Sequence, residues 1–143
     1  MFQKLVVAYN ESPESERALA SAIRLAKSLH AELQTVTVMA DLPAYTAYAE
    51  FDGSISRVLN DDRLKFYEQL KDKARGFATS HGIELRSHLI EGRQVESIVD
   101  FLRKQKADLL VLGLHQRDLY IARLWSTVYE LAQEAPCSVL GVH

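Results

Sequence analysis

Apolar positions along this chain switch repeatedly between strand-like runs and helical spacing. Leu5-Val6-Val7-Ala8 is a short continuous apolar run, the mark of a strand buried on both faces. Ser12-Pro13 predicts a helix start, a hydroxyl cap followed by Pro at the first helical position. Ala18, Leu19, Ala22, Ile23, Ala26 and Leu29 then recur at helical spacing. Residues 33–39, with Thr35-Val36-Thr37-Val38 at their centre, read as a second strand. Residues 41–56 contain Pro43, Gly53 and the scattered aromatics Tyr45, Tyr48 and Phe51, and read as a long loop. Residues 61–80 are predicted helical, with Leu64, Tyr67, Leu70, Ala74 and Phe77 on one stripe and Gly82 as a left-handed cap. A third strand is expected at 83–90. A short helix comes after Gly92 and carries Val95, Ile98, Val99 and Leu102. A fourth strand is expected at 108–112, a helix at 127–134 ended by Pro136, and a fifth strand at 137–142.

This alternation predicts an α/β domain, a parallel sheet covered by helices on both faces, over residues 1–143. Ligands of such sheets bind beyond the carboxyl ends of the strands. The loops gathered there are 9–12, 40–56, 91–92 and 113–125.

Composition removes several function classes. A net charge of −2 shows no basic excess for nucleic acid. No apolar run approaches the 18 or so residues of a membrane span, and the N-terminus reads as a strand rather than a signal peptide. Cys137 is the single cysteine, so no intrachain disulfide forms, and a cytoplasmic location is expected. It opens a strand after Pro136 and reads as buried and inert. His30, His81, His88, His115 and His143 show no metal-ligand spacing. There is no Gly-x-Ser-x-Gly elbow, no P-loop lysine and no dinucleotide fingerprint after the first strand, so no catalytic residue is assigned.

The candidate chemistry lies after the fourth strand. Gly113-Leu114-His115-Gln116 opens a polar loop, and nine residues later Ser126-Thr127 starts a helix. Such a loop can bind phosphate through backbone N–H groups and the helix N-terminus. His115 lies within it, and Arg117 and Arg123 add positive charge. Without a ligand, Gly113 reads as a tight strand exit and Ser126-Thr127 as a helix cap. Trp125, just before that cap, is expected against the core.

Four segments in order resemble the universal stress protein family. They are Lys4 to Ser12 with Ser15-Glu16-Arg17-Ala18-Leu19, then Glu91-Gly92-Arg93-Gln94-Val95-Glu96-Ser97-Ile98, Ala107 to Gly113, and Ala135 to Leu140. The resemblance covers essentially the whole chain. It implies a five-stranded parallel sheet of order 3-2-1-4-5, a Rossmann-like fold of the adenine-nucleotide alpha-hydrolase type, and a homodimer.

Many members bind ATP, with magnesium, through Gly, two residues, Gly, nine residues, Gly, then Ser or Thr. Here Gly113 and Thr127 keep the ends of that pattern, while Gln116 and Ser126 replace its second and third glycines. A Cβ where close backbone approach is needed costs about 1–3 kcal/mol, and every 1.4 kcal/mol or so is tenfold in affinity. Gln116 is the more damaging change. Asn10 stands where relatives place an adenosine-holding Asp, and Glu11 replaces a Gly and brings negative charge. Val38 aligns with the residue whose backbone meets the adenine edge.

The resemblance thus implies a non-catalytic regulatory module of the cytoplasm. Two mechanisms compete: a retained adenine-nucleotide switch, and a degenerate site with function through dimerisation and an unidentified protein partner. A slow ATPase switch is the alternative. The edge strand holding Val139, Leu140, Gly141 and Val142 is the expected dimer interface.

Overall fold

The computed structural model describes residues 1–39, 53–114 and 127–143, with the backbone alone for 53–60. Its elements are β1 (Lys4–Ala8), α1 (Pro13–Leu29), β2 (Glu32–Met39), α2 (Gly53–Ser80), β3 (Leu85–Glu91), α3 (Gln94–Gln105), β4 (Leu109–Gly113), α4 (Thr127–Glu134) and β5 (Ser138–Val142). The strands form a parallel sheet of order β3-β2-β1-β4-β5, as the family resemblance implied.

Leu5, Val6 and Val7 of β1 and Leu110 and Val111 of β4 are completely buried. Consecutive strand residues face opposite sides, so burying all of them requires cover on both faces. Leu5, Val7, Leu109 and Val111 pack under α1 and α2 with Leu19, Ile23, Leu70 and Ala74. Val6, Val36, Leu110 and Leu112 pack under α3 and α4 with Ile98, Phe101, Leu102 and Leu131. Asp108 ties the two central strands at their starts, its carboxylate accepting from the backbone N–H of Gln3 (2.7 Å) and of Lys4 (2.9 Å).

The structure corrects the sequence reading around α2. That helix begins at Gly53, so 53–56 are helical rather than part of the long loop, and 40–52 lie outside the described residues. At about 1.5 Å per residue α2 spans about 42 Å, whereas eight-residue β2 spans about 26 Å. The helix therefore outruns the sheet, and residues 61–69 include none that is buried. Leu64 and Phe77, expected on the buried stripe, are 47% and 39% exposed, and the true stripe is Leu70, Ala74 and Ala78. Leu29, at the last turn of α1, is also exposed, while Phe101 joins the core unpredicted. Gly82 does take positive φ, +76°.

His88 of edge strand β3 packs its ring on Phe101 with centroids 5.0 Å apart. Its Nε2 is buried without a partner among the described residues, as is Oε1 of Gln34 on neighbouring β2. Burial, then the nearby charges of Lys71 and Arg86, hold the imidazole pKa below its usual value. The folded state therefore takes up a proton less readily than the unfolded chain. That stability is complete above the unfolded pKa and is lost as pH falls through it toward the folded value. Urea unfolding of wild type is expected to show stability falling from about pH 7 to pH 5. His88→Phe, which keeps the ring contact, removes this residue's share of that fall; an identical pH profile in the two proteins contradicts the assignment.

Candidate functional site

β1 leaves the sheet at Ala8, and the chain then enters a tight turn whose backbone groups are satisfied by side chains. Asn10 Oδ1 accepts from Ser12 N (2.9 Å) and Ser12 Oγ (2.5 Å). Ser12 Oγ in turn accepts from Ser15 N at 3.2 Å, capping α1 as the sequence predicted. Buried Ser15 closes the loop, donating from Oγ to the Asn10 carbonyl (2.6 Å) and accepting from Asn10 N (3.1 Å). The Asn10 amide oxygen is thus engaged within its own turn.

The β1–β2 ladder stops at Tyr9, whose N–H donates to the Val36 carbonyl at 3.0 Å. In a parallel ladder the Tyr9 carbonyl is next in line for the Val38 N–H. The Thr37 hydroxyl takes that carbonyl instead, at 2.8 Å. Strand residues two apart point their backbone groups the same way. Val38 therefore turns its N–H and C=O, like Val36, toward the side of β1, at a level where β1 has already left for α1. Its side chain lies against the α3 core.

Gly113 ends β4 beside β1 and pairs with Val142. A Cβ at this position would run into the carbonyl of Glu14 and stand 2.8 Å from the Glu14 Cβ. The first turn of α1 thus rests directly on Gly113, and this glycine is required by packing whether or not a ligand is present. Leu114 N bonds to the Val142 carbonyl at 2.7 Å, and its side chain lies over Gly141.

Thr127 is the first residue of α4. α4 links two parallel strands and so runs back against them, placing Thr127 at the carboxyl end of the sheet with Asn10, Val38 and Gly113. His115, Gln116, Arg117, Arg123, Trp125 and Ser126 lie outside the described residues, as do Tyr45, Tyr48 and Phe51.

β5 is an edge strand. Val139 and Val142 each pack partly on one of the two cores, while Leu140 is 38% exposed and Gly141 is exposed. Cys137 is half-buried, and burial pushes its thiol pKa up, which disfavours the reactive thiolate. Among the described residues no group of three His, Cys, Asp or Glu side chains is placed to hold a metal ion, and no helix is long and apolar enough to cross a membrane.

Sequence reasoning missed Ser15 and Thr37. Each uses its hydroxyl to terminate a strand or close a turn, and neither stands in a recognisable spacing. It also missed a cluster on the other flank of α1. Glu16 pairs with Lys73 of α2 at 2.5 Å, beside the ring of Tyr9. The partners are 57 residues apart, and no local pattern signals such a contact.

The parallel order β3-β2-β1-β4-β5, with helices on both faces, defines a doubly wound α/β protein. The profile of the Universal stress protein family matches residues 1–143, and the chain belongs to that family. Universal stress protein MJ0531 of Methanocaldococcus jannaschii is 31% identical over 144 residues, covering 99% of this chain and 82% of that protein. Among solved structures, universal stress protein UspA from Lactobacillus plantarum superposes with a TM-score of 0.77 at 19% identity, covering 99% and 98% of the two chains. A universal stress protein crystallised in complex with cAMP gives a TM-score of 0.75 at 26% identity, covering 99% and 97%.

The packing role of Gly113 is directly testable. Gly113→Ala is expected to lower unfolding stability by about 1–3 kcal/mol, the usual cost of forcing a methyl into a filled site. Urea denaturation checks this, and an unchanged midpoint shows that α1 does not rest on this residue as described.

Proposed function

We propose that this protein is a non-catalytic regulatory module of the cytoplasm that binds an adenine mononucleotide at the carboxyl end of its sheet and acts as a homodimer. The observation that carries the reading is the release of Val38 from the β1–β2 ladder. Its N–H and C=O are turned to the crevice and offer a donor and an acceptor to a base edge, independently of any side chain. The relative solved with cAMP, 26% identical over nearly the whole chain, supports the same ligand class.

Phosphate-side features favour a mononucleotide over ATP. Gln116 and Ser126 stand where two glycines of the ATP pattern belong. Glu14 places a carboxylate in the first turn of α1, where a helix N-terminus would otherwise attract phosphate. A single phosphate needs less close backbone approach than three. Thr127 and the N-terminus of α4 are the groups assigned to it, and His115 and Arg117 of the preceding sequence are proposed as further contacts. Asn10, whose amide oxygen is held by Ser12, has its NH2 group to offer a ribose.

Isothermal titration of nucleotide-free protein tests this. AMP or cAMP is expected to bind more tightly than ATP with magnesium by about tenfold, a difference of roughly 1.4 kcal/mol. No heat and no rise in Tm with any of the three at millimolar concentration would overturn the nucleotide reading. It would leave the degenerate-site mechanism, which the ligand-independent role of Gly113 favours. Tighter ATP binding with measurable phosphate release would establish the slow ATPase instead.

Dimerisation is assigned to β5. Leu140 is exposed on an edge strand, and a twofold partner covers such an edge with its own copy. Sedimentation at micromolar concentration is expected to give a dimer for wild type and a monomer for Leu140→Asp. A wild-type monomer rejects this interface.

A further inference from the structure

We infer that the groove between α1 and α2 is a second ligand site, for a flat apolar molecule carrying one anionic group. Pro13, Glu16, Arg17 and Ala20 line one wall at i, i+3, i+4 and i+7, a single stripe of α1. Lys73 and Phe77, one turn apart on α2, form the other, with Leu19 and Tyr9 at the base. The cavity holds about 630 Å3, within the range of small-molecule pockets. It is distinct from the sheet-end crevice. Gly113 meets α1 at Glu14, which is not part of this stripe, and the inference does not rest on the nucleotide reading.

Three features define the ligand. The walls are mainly apolar, and the Phe77 ring is 39% exposed at the rim, which suits a flat hydrophobic body. Tyr9 is 4% exposed and lines the base of the cavity, where its phenol supplies a hydrogen-bond donor. Glu16 and Lys73 neutralise one another across the groove. Arg17 makes no ion pair among the described residues. The lining therefore carries one uncompensated positive charge, complementary to a carboxylate or sulfonate that the Arg17 guanidinium can bind in a fork.

The test uses 8-anilino-1-naphthalenesulfonate with the folded protein, followed by fluorescence and by amide chemical shifts. One probe per chain is expected to bind with a Kd below about 100 μM, shifting the amides of Arg17, Ala20 and Lys73. Ala20→Phe fills the groove and is expected to abolish binding. Tyr9→Phe and Arg17→Gln are each expected to weaken it several-fold. The uncharged analogue N-phenyl-1-naphthylamine is expected to bind wild type more weakly than the sulfonate, and Arg17→Gln to erase that difference. If Ala20→Phe does not fold, the Tyr9→Phe and Arg17→Gln comparisons decide the matter alone. No saturable binding overturns the proposal, as do shifts confined to other residues or equal affinity for both probes in wild type. Competitive displacement of the probe by AMP or ATP also overturns it, by making the groove part of the nucleotide site.

Discussion

Two-sided burial of β1 and β4 governs the architecture of this molecule. Five residues of these strands have no solvent exposure, so neither face of the sheet can be left to water. Each strand must be followed by a helix that returns across a face, which forces parallel pairing and collects the outgoing loops at the carboxyl end. The crevice is a by-product of this arrangement before any residue in it is chosen. Its floor is set by where β1 stops, just before Tyr9, whose carbonyl accepts from the Thr37 hydroxyl.

The same burial dictates the position of α1. To cover β1 and β4 together, the helix has to begin close to the end of β4, and a glycine at 113 permits that approach. Asn10, Ser12 and Ser15 then fix the entry angle by a closed set of hydrogen bonds. A glycine that looks like ligand chemistry in the sequence therefore has a full structural explanation, and an asparagine that aligns with a ligand-holding position is also a turn residue. The two roles are compatible, because Val38 meets the crevice through its backbone and Asn10 retains its NH2 group.

α1 is also where the two proposed sites divide. One flank faces β4 and the crevice, and the other faces α2 across a groove bridged by Glu16 and Lys73. Burial of Tyr9 raises its phenol pKa, with the Glu16 charge adding to the effect and Lys73 opposing it. That places the phenol as a neutral donor beside the ion pair. A ligand in the groove would touch the same helix whose first turn rests on Gly113 at the proposed nucleotide site, so occupancy of one site bears on the same rigid element as the other.

Local pattern in the sequence was enough for the element order, the two-faced burial of the central strands and the cap of α1. Leu5-Val6-Val7-Ala8 is apolar without interruption, and Ser12-Pro13 carries its own helix-start chemistry. The pattern also placed Asn10, Gly113 and Thr127 at one end of the sheet, because a parallel α/β chain always sends its strand exits there. It failed on α2, where the helix outruns the sheet. Apolar spacing there no longer reports burial: Leu64 looks like core but stands in the overrun segment, while Phe77 lies off the buried stripe of Leu70, Ala74 and Ala78. Long-range packing was needed to show that Gly113 bears the first turn of α1, that the Thr37 hydroxyl bonds the Tyr9 carbonyl where β1 ends, and that Lys73 reaches Glu16 beside Tyr9. Each is a contact between segments far apart in the chain, and its energy depends on distances that no local pattern encodes.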